Sequence, residues 1–298
     1  MRLGAIDIGS NAARLLITDV TKDSNEVPIF NKVNLVRVPL RLGFDVFEDG
    51  KISEHRIQMV LDTMHAYKYL LNVYEVIHLK ACATSAMRDA SNSPQLIEKV
   101  RKETGIEIEV ISGDSEASFI YENHIAENMD KEHSYLYIDV GGGSTEVTLF
   151  SNNKLVFKES FNIGTIRILQ GKVTEDDWEQ MKNVLRDDIK GLSNIIAIGS
   201  GGNINKIFSL SKRKEGKPLS LDLLKDYHKE LSNVSLQDRI NIYKLREDRA
   251  DVIVPALQIY ISVMRWAGII DIYVPKIGLV DGLIQHLYHE LNSKTVEA

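Results

Sequence analysis

Residues 5–17 (A-I-D-I-G-S-N-A-A-R-L-L-I) and 137–149 (Y-I-D-V-G-G-G-S-T-E-V-T-L) are near copies of one pattern. Each reads as an apolar strand ending in aspartate, a turn of glycine and small polar residues, then a second apolar strand. Such a turn exposes backbone N–H groups, and a row of them forms a concavity for anions. Ser10, Asn11, Gly142, Gly143, Ser144 and Thr145 are thus candidates to cradle phosphoryl oxygens. The aspartates before the turns, Asp7 and Asp139, repel phosphate and suit a divalent cation or an attacking water. Asp139 and Glu146 flank one turn, and strand pairing across it would bring both carboxylates together. A solvated Glu146 fits that spacing equally well. Arg14 holds the matching place in the first copy, so one turn can carry metal and the other positive charge for phosphate. Two such turns facing one another would grip a phosphate chain from both sides.

The elements that must position these residues follow from periodicity. In the first half, strands fit 3–8, 13–20, 27–38, 75–83 and 106–111, and helices fit 54–72 and 94–103. A third helix should begin near Asp114 and carry Glu116 in its first turn, where any acidic residue is favoured by the helix dipole. The second half repeats the scheme, with strands at 135–140, 146–151, 154–161 and 195–199. Its helices fit 175–190, opened by a Thr174/Asp177 capping box, then 203–210, 221–230, 249–266 and 279–291. The alternation, occurring twice, predicts two α/β domains with a cleft between them, 1–126 and 127–298, divided near 125–133. The last helix is a candidate to pack back on the first domain.

Composition narrows the class. A chain of 298 residues with 44% hydrophobic residues can bury two ordinary cores. A net charge of −6 argues against a nucleic-acid binder. The single Cys82 excludes a disulfide framework and fits a reducing cytosol; its apolar run reads as a buried strand. The opening strand leaves no room for a signal peptide, and 252–270 is too interrupted for a membrane span, so a cytoplasmic protein is expected. The apolar helix 249–266 serves a core or a homodimer contact, with core the simpler reading.

Five motifs in order, D-I-G-S-N, A-T-S-A-M-R-D-A-S-N, I-S-G-D-S-E-A, D-V-G-G-G-S-T-E and G-S-G-G-N, resemble the exopolyphosphatase/guanosine pentaphosphate phosphatase family. The resemblance runs from residue 3 to about 290. It implies two ribonuclease H-like domains of the actin, sugar-kinase and Hsp70 superfold, in a short form lacking a C-terminal HD-type domain. It also implies removal of terminal phosphate from polyphosphate or of the 5′ γ-phosphate from guanosine pentaphosphate, with Mg²⁺ and water; a K⁺ requirement stays open. By similarity Glu116 orients the water, Arg88 contacts phosphate, and Asp139, Glu146 and Asp7 are metal or water ligands. The loop Ile198–Asn203, with Gly201 and Gly202, holds adenosine in kinases of the superfold and closes a phosphate channel in phosphatases.

Other residues are less decisive. Thr84 and Ser85 add hydroxyls or merely cap a turn, and Arg167 is a channel cation or a surface residue. Lys206 suits polyphosphate, whereas His286 and His289 lack a third ligand for metal. Ala12 stands where the family commonly has a second Ser, and Val280 and Asp281 replace the usual Arg-Glu of a late G-L-R-E-G pattern. Two rival activities remain at this stage: an ATP-dependent small-molecule kinase of the same superfold, and a non-catalytic guanosine tetra- or pentaphosphate sensor.

Overall fold

The computed structural model describes residues 1–125, 133–152, 154–192, 194–275 and 278–296. The domain boundary expected near 125–133 lies almost wholly outside the described residues. The chain forms two compact units, Met1–Ala126 with Gly278–Ala298, and Glu127–Ile277.

The first unit runs β1 (Arg2–Ile8), β2 (Ala13–Lys22), β3 (Pro28–Val38), α1 (Leu42–Asp49), α2 (Glu54–Val73), β4 (His78–Ala83), α3 (Ser85–Asp89), α4 (Ser93–Thr104), β5 (Ile108–Val110) and α5 (Gly113–Ile125). Its sheet has the order β3-β2-β1-β4-β5. The first three strands are antiparallel, whereas β1 with β4 and β4 with β5 are parallel. Alternation along β1 decides which helices cover which face. Leu3 and Ala5 share a buried cluster with Phe119, Leu283 and Leu287, while Gly4 on the opposite face lies against Leu71 of α2. Cys82 is buried in β4, where burial, with the nearby Glu109 carboxylate, pushes its thiol up to about 12.

The second unit runs β6 (Ser134–Val140), β7 (Thr145–Ser151), β8 (Lys154–Phe161), α6 (Thr165–Leu169), α7 (Glu175–Asp188), β9 (Ile195–Ser200), α8 (Gly202–Ser211), β10 (Leu219–Ser220), α9 (Leu221–Ser232), α10 (Leu236–Asn241), α11 (Glu247–Ala250), α12 (Ile253–Trp266) and β11 (Asp271–Tyr273). Its sheet order is β10-β11-β9-β6-β7-β8. The run β8-β7-β6-β9-β11 repeats β3-β2-β1-β4-β5 in order and in strand direction. The duplication read from two short motifs therefore extends over whole sheets. The core centres on α12, whose Leu257, Tyr260, Val263 and Met264 are fully covered.

One expected helix is divided. Residues 249–266 form α11 and α12 because Pro255, in the first turn of α12, cannot donate and its ring excludes a helical carbonyl at Asp251. The capping box is present: Thr174 and Asp177 exchange side-chain and backbone hydrogen bonds.

The last helix, α13 (Leu279–Val296), belongs to the first unit. Gly282 is the reason it packs closely on α5. A Cβ placed there would sit 1.9 Å from the carbonyl oxygen of Phe119, so only glycine permits this approach. Phe119 also meets His286 edge-on at 4.8 Å. Lys32 of β3 pairs with Asp281 at 2.6 Å, so one of the two departures in the late glycine motif makes an ion pair to the sheet.

Candidate functional site

In the second unit the turn between β6 and β7 is built as the sequence implies, and Asp139 faces Glu146 in the strand register. Their carboxylate oxygens approach within 4.8 Å. Glu146 is buried and accepts a hydrogen bond from Ser160 of β8 at 2.8 Å; Asp139 is half-buried. Two carboxylates at this separation fit Mg²⁺, which takes one or two carboxylates and fills its remaining positions with water and phosphate oxygens.

Sequence reasoning missed what holds the turn. The segment after β8 binds three successive turn carbonyls: Thr165 N–H donates to Gly141 at 3.1 Å, Ile166 N–H to Gly142 at 2.8 Å, and Arg167 Nε to Gly143 at 2.8 Å. Thr145 Oγ1 donates to the Ile163 carbonyl at 2.6 Å. Gly164 fits beneath, where a Cβ would lie 2.4 Å from the Gly142 oxygen. Among the described residues the amides of Gly142, Gly143 and Ser144 make no hydrogen bond. Carbonyls tied down on one side and unspent amides are what an anion-binding turn requires. Arg167 is thus a brace of the turn.

The first unit carries the same construction. Gly9 N–H donates to Ala12 as Gly141 does to Ser144, at 3.1 and 2.9 Å. The entry to α1 supplies the brace, with Arg41 N–H on Asn11 and Gly43 N–H on Ser10, both at 2.9 Å. Ser10 and Ser85 hydroxyls lie 2.8 Å apart, tying the turn to α3. Asp7 and Arg14 face each other in register and pair at 2.6 Å, so a guanidinium occupies Oδ2 of the aspartate placed above among the metal ligands. Burial pushes the Asp7 carboxyl above its ordinary value, and Arg14 pulls it back.

Arg88 lies beyond the strand expected over 75–83. It lies in the short helix α3, because Thr84 leaves the sheet and Arg88 N–H closes a helical turn on the Thr84 carbonyl at 3.0 Å. Its Nη1 donates to the Ile111 carbonyl at 2.9 Å, just before α5. Thr84 makes no side-chain cap. Glu116 is buried in the first turn of α5, whose opening is held by Ser112 Oγ accepting from Ser115 N–H at 3.1 Å.

Gly201 and Gly202 open α8 beside Asp139. Gly201 has φ +106°, and a Cβ there would lie 2.9 Å from Asp139 Oδ1, so glycine is required twice over. The buried Tyr260 hydroxyl donates to the Ser200 carbonyl and fixes this loop; burial, with the Asp139 carboxylate, holds its phenol well above the ordinary value. His289 is exposed, and His286 is spent on Phe119, so neither departs from an ordinary helical role.

The Ppx/GppA phosphatase family matches residues 20–291. The chain belongs to this family. It is 30% identical over 258 residues to a bifunctional 3-dehydroquinate synthase/phosphatase of Fusobacterium nucleatum, covering 80% of this chain but only 38% of that protein. It is 25% identical to exopolyphosphatase 1 of Mycobacterium bovis, covering 95% of this chain and 87% of that one. A crystal structure of an exopolyphosphatase from Cytophaga hutchinsonii superposes with a TM-score of 0.83 at 28% identity, covering 98% of each chain. The fold of this family member is accordingly the duplicated α/β, actin-like arrangement described above, and the expected family and fold class stand. Among the described residues no helix is long and apolar enough to cross a membrane.

Proposed function

We propose that the chain is a phosphohydrolase releasing terminal orthophosphate from inorganic polyphosphate, from the 5′ γ-position of guanosine pentaphosphate, or from both. The observation that carries this reading is the braced turn Gly141–Ser144, with unspent amides beside the Asp139–Glu146 carboxylate pair. Family membership favours hydrolysis over transfer to a second substrate.

In this reading both turns bind phosphate. Gly142, Gly143, Ser144 and Thr145 in one, with Ser10 and Asn11 in the other, bind phosphoryl oxygens through amides and hydroxyls. Asp139 and Glu146 would hold Mg²⁺, which when bound would supply charge neutralisation to the phosphoryl group. Asp7 is better suited to holding Arg14, whose cation then faces phosphate, than to binding metal. Glu116 orients the attacking water; with a loose transition state, positioning matters more than full deprotonation. Arg88 stabilises charge on the leaving side, and Gly201 and Gly202 give the chain room beside Asp139.

The test is colorimetric phosphate release from long polyphosphate, tripolyphosphate, guanosine pentaphosphate and ATP, each with and without Mg²⁺. Mg²⁺-dependent release from polyphosphate or guanosine pentaphosphate supports the assignment. Release from none of them overturns it.

A further inference from the structure

Beyond the turns, the second unit carries a cationic feature that the reaction above does not use. From Gly202 beside Asp139, α8 extends for 10 residues, about 15 Å. Ile204, Ile207 and Phe208 face the core. Asn205 and Lys206 are half-buried and Ser209 is exposed, forming a polar stripe at helical spacing. The stripe leads to the loop Lys212–Lys217 (K-R-K-E-G-K), exposed throughout, with four cations against one anion in a chain of net charge −6. Among the described residues, Lys206, Lys212, Arg213, Lys214 and Lys217 take part in no ion pair. No exposed aromatic interrupts the stripe, so nothing along it would stack a nucleobase.

We propose that this loop is a distal anion subsite that holds the far end of long inorganic polyphosphate while its terminus occupies the Gly141–Ser144 turn. The inference rests on the phosphohydrolase reading and narrows its substrate to chains long enough to follow α8. Single exposed cations bind weakly, but several along one polyanion add together and make affinity fall steeply with salt. Tripolyphosphate is too short to reach from the turn to the loop.

The experiment replaces Lys212, Arg213, Lys214 and Lys217 with Ser together, keeping Gly216, and reads phosphate release from long polyphosphate and from tripolyphosphate over a salt series. KM for the long chain should rise about tenfold with a shallower salt dependence, while kcat/KM for tripolyphosphate stays within about twofold. Lys214→Glu alone should move the long-chain KM in the same direction, and a Lys214→Arg variant should keep it. An unchanged long-chain KM, or an equal loss on both substrates, overturns the subsite. If the wild-type chain hydrolyses neither substrate, the phosphohydrolase reading fails separately. Calorimetric binding of long polyphosphate to the wild type and the four-Ser variant then decides the loop, equal affinities overturning it. Competition by a polyuridine RNA as strong as by polyphosphate would make it a general polyanion patch and also overturn the proposal.

Discussion

Gly282→Ala tests whether α13 positions the helix that carries Glu116. The new methyl carbon would lie 1.9 Å from the Phe119 carbonyl oxygen and 2.5 Å from its carbon. Ordinary contact begins near 3.4 Å, so the helices must part by about 1.5 Å, and a backbone carbonyl cannot swing aside as a side chain can. Overpacking of this kind costs about 1–3 kcal/mol. At about 2–4 °C per kcal/mol for a domain of this size, the melting temperature should fall by some 2–12 °C. Glu116 lies one turn before Phe119 on the same helix, and a displacement of about 1 Å in a positioned group can lower turnover on the order of a hundredfold. Thermal melting and phosphate release on the same preparation check both parts. Activity loss at a temperature where the variant is fully folded is the expected signature. A variant with wild-type melting temperature and wild-type turnover would refute the reasoning.

Gly164→Ala should weaken phosphate-chain binding by pushing the Gly142 carbonyl out of place, with Arg167→Ala acting in the same direction through the lost Gly143 bond. The check is KM, which should rise about tenfold in either case, roughly the worth of a charge-assisted hydrogen bond. Acid should expose a second dependence. Asp45 accepts from the Ser53 hydroxyl at 2.5 Å, from Arg56 Nε at 2.6 Å and from Ser53 N–H; partial burial raises its carboxyl, but these hydrogen bonds outweigh burial and hold it below its ordinary value. Its stabilisation is therefore present above the unfolded-state pKa of about 4 and lost as pH falls through the folded-state value. Denaturant unfolding should show a gap between wild type and Asp45→Asn at pH 7 that closes toward pH 3. A constant gap would show that ionisation of Asp45 is not involved.

The strands β1 to β9 and their turns were legible because period-2 apolar runs ending in aspartate and glycine constrain the chain locally, and their recurrence revealed the duplication, whereas β10 and β11, of two and three residues, are too short to show a period. The short helices α1, α3 and α6 were not, since five to eight residues hold too few turns for a period to emerge. Leu42–Asp49 and Thr165–Leu169 follow the third strand of each sheet, so carrying the duplication one element further would have found both. The helix that carries Arg88 was missed for the same reason. The demands on Gly164 and Gly282 come from backbone carbonyls distant in sequence, Gly142 and Phe119, and no local pattern encodes such a partner. The inequality of Asp7 and Asp139 was legible, since Arg14 stands in the first copy where Glu146 stands in the second, and the strand register pairs each aspartate with that partner.

The role of Glu116 is tested most directly by Glu116→Gln, which keeps size and hydrogen bonding while removing the charge. Turnover on polyphosphate, measured beside calorimetric binding of the same substrate, should fall by about a hundredfold or more while affinity stays within about twofold. Undiminished turnover, or affinity lost in step with turnover, would contradict the account.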